Sequence, residues 1–93
     1  YEPVWAIGTG RAATPEDAQE ICRFATGILK QNVSFRTLTI PVLYGGSVSP
    51  ANAKELLSQE HISGLLVGGA SLKPDSFVEI VERAMEGNAE SPQ

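Results

Sequence analysis

The chain is short of the residues on which metal and redox chemistry rest: its 93 positions hold one cysteine, Cys22, and one histidine, His61. One thiol makes no internal disulfide, and a single histidine with a single cysteine gives no metal-ligand spacing. Cys22 falls on a helical spacing and reads as a small core residue, consistent with a reducing compartment. Positive charge is scarce as well. Seven Lys and Arg against eleven Asp and Glu leave a formal charge of −4, without a basic run, which argues against a nucleic-acid surface. Apolar runs are only a few residues long, too short to span a bilayer. The chain opens on Tyr1-Glu2-Pro3, with no charged-then-apolar leader and no starting methionine. The expectation is a chain without a secretory signal, either cut from something longer or engineered.

What is present is ordinary globular material. Hydrophobic residues make up 42% and charged residues 19%, a balance that folds rather than stays disordered. At this length it suffices for one small domain with a modest core.

The order of signals is strand-end, helix, strand, helix, strand, helix, which predicts parallel βα units of an α/β fold. Tyr1 to Ile7 begins apolar and is broken by Gly8-Thr9-Gly10. Thr14-Pro15-Glu16-Asp17 then starts a helix: a capping hydroxyl, a proline suited to the first helical position, and two carboxylates at the positive end of the dipole. Ala18, Ile21, Cys22, Ala25, Ile28 and Leu29 follow at helical spacing and predict one buried stripe. After a polar connection from Asn32 to Thr39, the nearly all-apolar Ile40 to Tyr44 reads as a strand buried on both faces. Gly45-Gly46-Ser47 ends it. Ser49-Pro50 repeats the cap and proline, with Ala53, Leu56 and Leu57 inward. Gly64 to Val67 is the next buried strand, closed by Gly68-Gly69, and Ala70-Ser71-Leu72 makes one short turn. Pro74 opens a last helix with Phe77, Ile80, Val81, Ala84 and Met85 on one side. Gly87 is expected to stop it, so residues 1–87 form the folded unit and 88–93 a frayed tail.

Chemistry concentrates where the strands end. Gly45-Gly46-Ser47 and Gly68-Gly69-Ala70 each follow a strand. A residue without a β-carbon lets a ligand reach backbone amides, and amides at a helix start favour an anion. Taken singly, such glycines equally allow a tight turn; on successive strands they could converge on one phosphate. Glu2, at another strand end, is either a solvated terminus or a general base at the mouth of the sheet, and spacing alone does not choose. Gly8-Thr9-Gly10-Arg11-Ala12-Ala13 matches the dinucleotide pattern G-x-G-x-x-A only in letters. Pro3 interrupts the preceding strand, the helix cap at Thr14 comes too late, and Lys30 stands where an acid is required. His61 leads into a strand at the end opposite the glycines, so Ser47 and Ser71 have no partner for a triad.

The block Tyr1-Glu2-Pro3-Val4-Trp5-Ala6-Ile7-Gly8-Thr9-Gly10 closely resembles the signature of the triosephosphate isomerase family. Tyr44-Gly45-Gly46-Ser47-Val48 and Leu66-Val67-Gly68-Gly69-Ala70-Ser71-Leu72 match two more blocks of that family, in order and at compatible spacing. The resemblance covers nearly the whole chain apart from its tail. It implies an α/β chain forming the C-terminal part of a (β/α)8 TIM barrel of about 250 residues. The portion would run from the end of strand 6 through helix 8. By the same resemblance Glu2 is the base that interconverts dihydroxyacetone phosphate and glyceraldehyde 3-phosphate, without a cofactor or metal. Pro3 to Ala13 is its hinged lid: Pro3, Val4 and Trp5 form one hinge, Gly8 and Gly10 the flexible tip, Arg11, Ala12 and Ala13 the other hinge. The family often has lysine where Arg11 stands. Substrate phosphate would be held by the amides of Gly8, Ser47, Gly68 and Gly69. Tyr44 and Ser47 would latch the closed lid through the Ala13 and Gly10 amides.

The family also requires a lysine and a histidine that do not map onto this chain, since Lys30, Lys54 and Lys73 fall at helical or lead-in positions. The loop that builds most of its dimer interface is missing too. The implied partners are therefore triose phosphate, the remaining N-terminal barrel segment and, for the complete enzyme, a second subunit. The implied location is the cytoplasm. Three readings stand side by side: a component of a complete isomerase, a bare inactive fragment with exposed apolar faces, and a phosphate-binding piece of a different barrel enzyme. Glu2-Pro3-Val4-Trp5 argues against the third.

Overall fold

A computed structural model describes residues 1–6, 9, 11–32, 34 and 39–86, together with the backbone of 87–90. Its elements run α1 (Pro15–Gln31), β1 (Leu43–Gly45), α2 (Pro50–Leu57), β2 (Gly64–Leu66) and α3 (Pro74–Glu90), with 3-10 turns at Val4–Ala6 and Gly69–Leu72. β1 and β2 pair in parallel, Leu43 opposite Gly64, Tyr44 opposite Leu65 and Gly45 opposite Leu66. The chain start lies on the other edge of β1. The Tyr1 amine donates to the Leu43 carbonyl and the Gly45 amide donates to the Tyr1 carbonyl, both at 2.7 Å. Those two bonds are what a parallel bridge between Tyr1 and Tyr44 makes. Three chain segments thus lie side by side and point the same way.

The helix starts follow the capping logic. Thr14 Oγ1 accepts the Asp17 amide at 3.2 Å, Pro15 opens α1, and Glu16 and Asp17 occupy its first turn. Losing such a cap costs about 1 kcal/mol. At α2 the work is done by Asn52: its Oδ1 accepts the Ser49 amide at 2.9 Å, while its Nδ2 donates to the Ser47 carbonyl at 2.8 Å. The core gathers Ala18 and Cys22 of α1, Tyr44 of β1, Ala53 and Leu56 of α2, Ile62 and Ile80. Tyr44, Leu56 and Cys22 are its largest fully buried side chains. Burying a leucine such as Leu56 stabilises by about 1.5–3 kcal/mol.

After Pro3, the residue expected to interrupt the strand, the chain coils, Ala6 donating to the Pro3 carbonyl at 2.9 Å. Three expectations are corrected. The strands are shorter than the apolar runs, three residues each, and Leu43 and Leu66 are half-exposed rather than covered on both faces. The helical stripes are buried only in part. Ala18, Cys22 and Ile80 are inside, while Ile21, Ile28, Phe77, Val81 and Met85 are exposed. The reason is geometric: α1 meets α2 and β1, and α3 meets α2 and the turn before it, so each outer helix has one partnered side. Beside α3 this leaves an apolar groove of about 470 Å³ lined by residues including Leu57, Leu65, Val67, Phe77 and Met85. Finally, α3 runs on to Glu90 instead of ending at Gly87, because a glycine inside a helix costs only about 1 kcal/mol and does not block the next hydrogen bond. Among the described residues, no helix is long and apolar enough to cross a membrane.

Candidate functional site

Parallel pairing with Gly45 opposite Leu66 sets the C-terminal ends of β1 and β2 level. Gly45-Gly46-Ser47 therefore leaves the sheet at the same end as Gly68-Gly69, which follows β2 by one residue. Glu2, one residue beyond the bridge at Tyr1, comes to that end as well. Its side chain lies across Gly45: a β-carbon built there would stand 2.7 Å from Glu2 Cγ and 3.3 Å from its Cδ, with Leu66 Cβ at 3.2 Å. No larger residue fits at position 45 without moving the carboxylate. Glu2 is solvent-exposed, open to a ligand arriving from above the strand tips.

Gly68 and Gly69 are exposed, and a β-carbon on either would meet nothing within 4 Å. Their backbone faces open space. Gly68 precedes the 3-10 turn, where its carbonyl accepts both the Ser71 amide at 2.9 Å and the Ser71 hydroxyl at 2.5 Å. Ser71 thus pins the turn to the Gly68 carbonyl.

The segment between Pro3 and Ala13 is tied down at both ends. The Ala13 amide donates to the buried Tyr44 hydroxyl at 3.0 Å, joining the expected latch residues directly. The Ser47 hydroxyl donates to the Ala6 carbonyl at 3.1 Å; its lone pairs can still accept an amide, but Gly10, like Gly8 and Ile7, lies outside the described residues. Thr9 Oγ1 donates to the Trp5 carbonyl at 2.8 Å and accepts the Arg11 amide at 3.1 Å. The Arg11 guanidinium sits 5.1 Å from the Trp5 ring centre, a cation–π contact worth about 0.5–1 kcal/mol where exposed. It links the two expected hinges. Val4 and Ala12 are exposed, and Pro3 is buried.

Tyr1 packs edge-on against Tyr44, ring centres 6.1 Å apart. Burial, with Tyr44, Cys22 and Asp17 nearby, raises the Tyr1 phenol above its ordinary value. Burial likewise raises the Cys22 thiol, keeping it protonated and unreactive.

Reading the sequence missed Ala6, Thr9, Ser71 and Asn52 as parts of this framework. Ala6, Thr9 and Ser71 fell inside the matched blocks without a role of their own, and Asn52 carried a separate signal, standing three residues after Ser49 of a Ser-Pro helix start, where a capping side chain belongs. The Ala6 contribution is a backbone carbonyl, which no side-chain pattern marks.

These features define an α/β protein of parallel βα units with its polar and glycine-rich surface at the strand C-termini. The profile of the family described as "Triosephosphate isomerase" matches residues 1–84. A triosephosphate isomerase from Aquifex aeolicus is 56% identical over 81 residues, covering 87% of this chain and 33% of the relative. One from Mesomycoplasma hyorhinis is 52% identical over 81 residues, covering 87% and 30%. One from Halorhodospira halophila is 53% identical over 92 residues, covering 94% and 35%. The chain belongs to the triosephosphate isomerase family, and spans about a third of the length of these relatives.

Proposed function

We propose that this chain is the C-terminal third of a cytoplasmic triosephosphate isomerase, from the end of barrel strand 6 through helix 8, with 1–87 belonging to one barrel domain. Glu2 removes a proton from one carbon of the triose phosphate and returns it to the neighbouring carbon, through an enediolate. The amides of Gly8, Ser47, Gly68 and Gly69 hold the phosphate, whose charge suits backbone donors at helix starts. The segment from Pro3 to Ala13 closes over the substrate on Trp5 and Arg11, latched by Tyr44 and Ser47. Closure excludes water from an intermediate that would otherwise lose phosphate.

The observation that carries this reading is Glu2 lying across Gly45, at the sheet end from which both glycine turns depart. A base works only within reach of the proton it takes, and the anion grip must stand beside it. The electrophile that acidifies the substrate proton is assigned to the N-terminal two-thirds, together with the homodimer contacts. Little or no turnover is expected from the 93 residues alone.

The test joins this chain to an N-terminal segment of a relative and measures isomerisation of glyceraldehyde 3-phosphate. Activity that appears only with both segments, and is mostly lost in Glu2→Asp, supports the proposal. Full activity in Glu2→Asp removes Glu2 from the mechanism. One observation favours a second reading, that the chain by itself is an inactive, self-associating piece: Ile21, Phe24 and Ile28 on one flank and Phe77, Val81 and Met85 on the other are exposed. Apolar patches of that kind drive association. Sedimentation of the isolated chain as a compact monomer with a cooperative melt would contradict it.

A further inference from the structure

His61 is tied to Gln19 by two hydrogen bonds across 42 residues. Its backbone amide donates to Gln19 Oε1 at 2.7 Å, and its ring Nδ1 stands 2.6 Å from Gln19 Nε2. Both side chains are half-buried. The pair fastens α1 to the lead-in of β2, next to buried Ile62. The backbone N–H can only donate, so the amide oxygen must face it and the amide nitrogen must face the ring. Nδ1 is therefore the acceptor, and the ring proton of neutral His61 is on Nε2.

From this geometry we infer that the Gln19–His61 pair is a proton-sensitive fastening that holds only the neutral imidazole. A glutamine amide offers one acceptor and one donor group. Once Nδ1 carries a proton, both positions around the amide require an oxygen, and flipping the amide moves the conflict from the ring to the backbone N–H. Either orientation leaves two donors face to face. The fastening is complete while the ring is neutral, and is lost once Nδ1 carries a proton. Among the described residues, the charged groups lining the cavity beside His61 are Lys30 of α1 and Glu60. Neither supplies the second acceptor that the amide lacks. This inference does not depend on the catalytic reading, because the pair lies at the opposite end of the strands from Glu2.

The decisive variant is Gln19→Glu. A carboxylate accepts from the backbone N–H and from a protonated ring together, so the dependence on pH should change sign. Urea unfolding of the 93-residue chain is compared at about pH 7.5 and about pH 5.5. Acidification should raise the parent's unfolding constant about two- to ten-fold, the worth of one such bond. That component should vanish in His61→Asn and turn into stabilisation in Gln19→Glu. Long-range ¹H–¹⁵N spectra of the imidazole give a readout that needs no unfolding transition: at the higher pH the ring should be protonated on Nε2, with Nδ1 accepting. An Nδ1–H tautomer, a random-coil imidazole signal, or the same acid response in parent and Gln19→Glu would overturn the inference.

Discussion

The two ends of β1 and β2 are built on opposite terms. At the N-terminal end, side chains close the structure: Gln19 grips His61, the Ser63 amide donates to the Val42 carbonyl at 2.8 Å, and Ser63 Oγ accepts the Val42 amide at 3.2 Å. At the C-terminal end Gly68 and Gly69 leave backbone uncovered, Glu2 is exposed, and the ties are those that hold the segment from Pro3 to Ala13. The sheet supplies rigidity to both, and only one end spends it on access. Substitutions at the glycine end should therefore change turnover more than stability, and those at the other end the reverse.

The strongest way to break this contrast is Glu2→Gln in the reconstituted protein. Removing the proposed base should lower turnover by about 10²–10⁴-fold, while an exposed isosteric change leaves the unfolding free energy within about 0.5 kcal/mol. A comparable loss of stability, seen in urea titrations, would erase the distinction. Gly45→Ala comes next. A methyl at that point displaces Glu2 or Leu66, and a misplacement of roughly 1 Å can cost about 10²-fold in turnover, which steady-state assays would read directly. Tyr44→Phe probes the junction between core and loop. It keeps the buried ring and leaves the Ala13 amide without its acceptor, for an expected loss of about 1–3 kcal/mol by denaturation.

Gly64→Ala is the matched control at the far end. Its methyl would meet only Leu43 Cδ2, at 2.9 Å, the tip of a half-exposed side chain that can swing away. Stability should change by under about 1 kcal/mol, with turnover unaltered. The smallest effect belongs to neither end. Cys22 is buried and its thiol is raised from an ordinary value of 9.0. The stability this reflects is present below that value and lost as pH rises through the folded one, since the unfolded chain ionises more readily. Melts at rising alkaline pH should show the decline in the parent and a shallower one in Cys22→Ala.

Much of the fold was legible because short-range rules govern it. Thr14-Pro15 and Ser49-Pro50 announced helix starts through local hydrogen bonding, and both helices begin at those prolines. Helical periodicity named Ala18, Cys22, Leu56 and Ile80 as interior. It also named Ile21, Ile28 and Phe77, which are not interior here, because periodicity says which side of a helix is apolar and not whether anything stands against it. The strands were overdrawn for a similar reason: an apolar run marks a tendency to be buried, whereas strand length depends on how many residues find a partner. At the candidate site, Glu2, Ser47, Gly68 and Gly69 stood out through a resemblance in sequence. The resemblance gave the backbone carbonyl of Ala6 no role of its own, and the pairing of Gln19 with His61 had no mark at all.

Residue order alone thus determined the family, through blocks spread along the chain, and the helix starts and the side of each helix that avoids water, which follow from neighbours one to four positions apart. Only the tertiary structure decided that Glu2 crosses Gly45, that the Tyr44 hydroxyl meets the Ala13 amide and that His61 shares one glutamine amide with Gln19. Each of those joins atoms 31 to 43 positions apart, and contact at such separations depends on how packed elements are placed in space, which no local preference specifies.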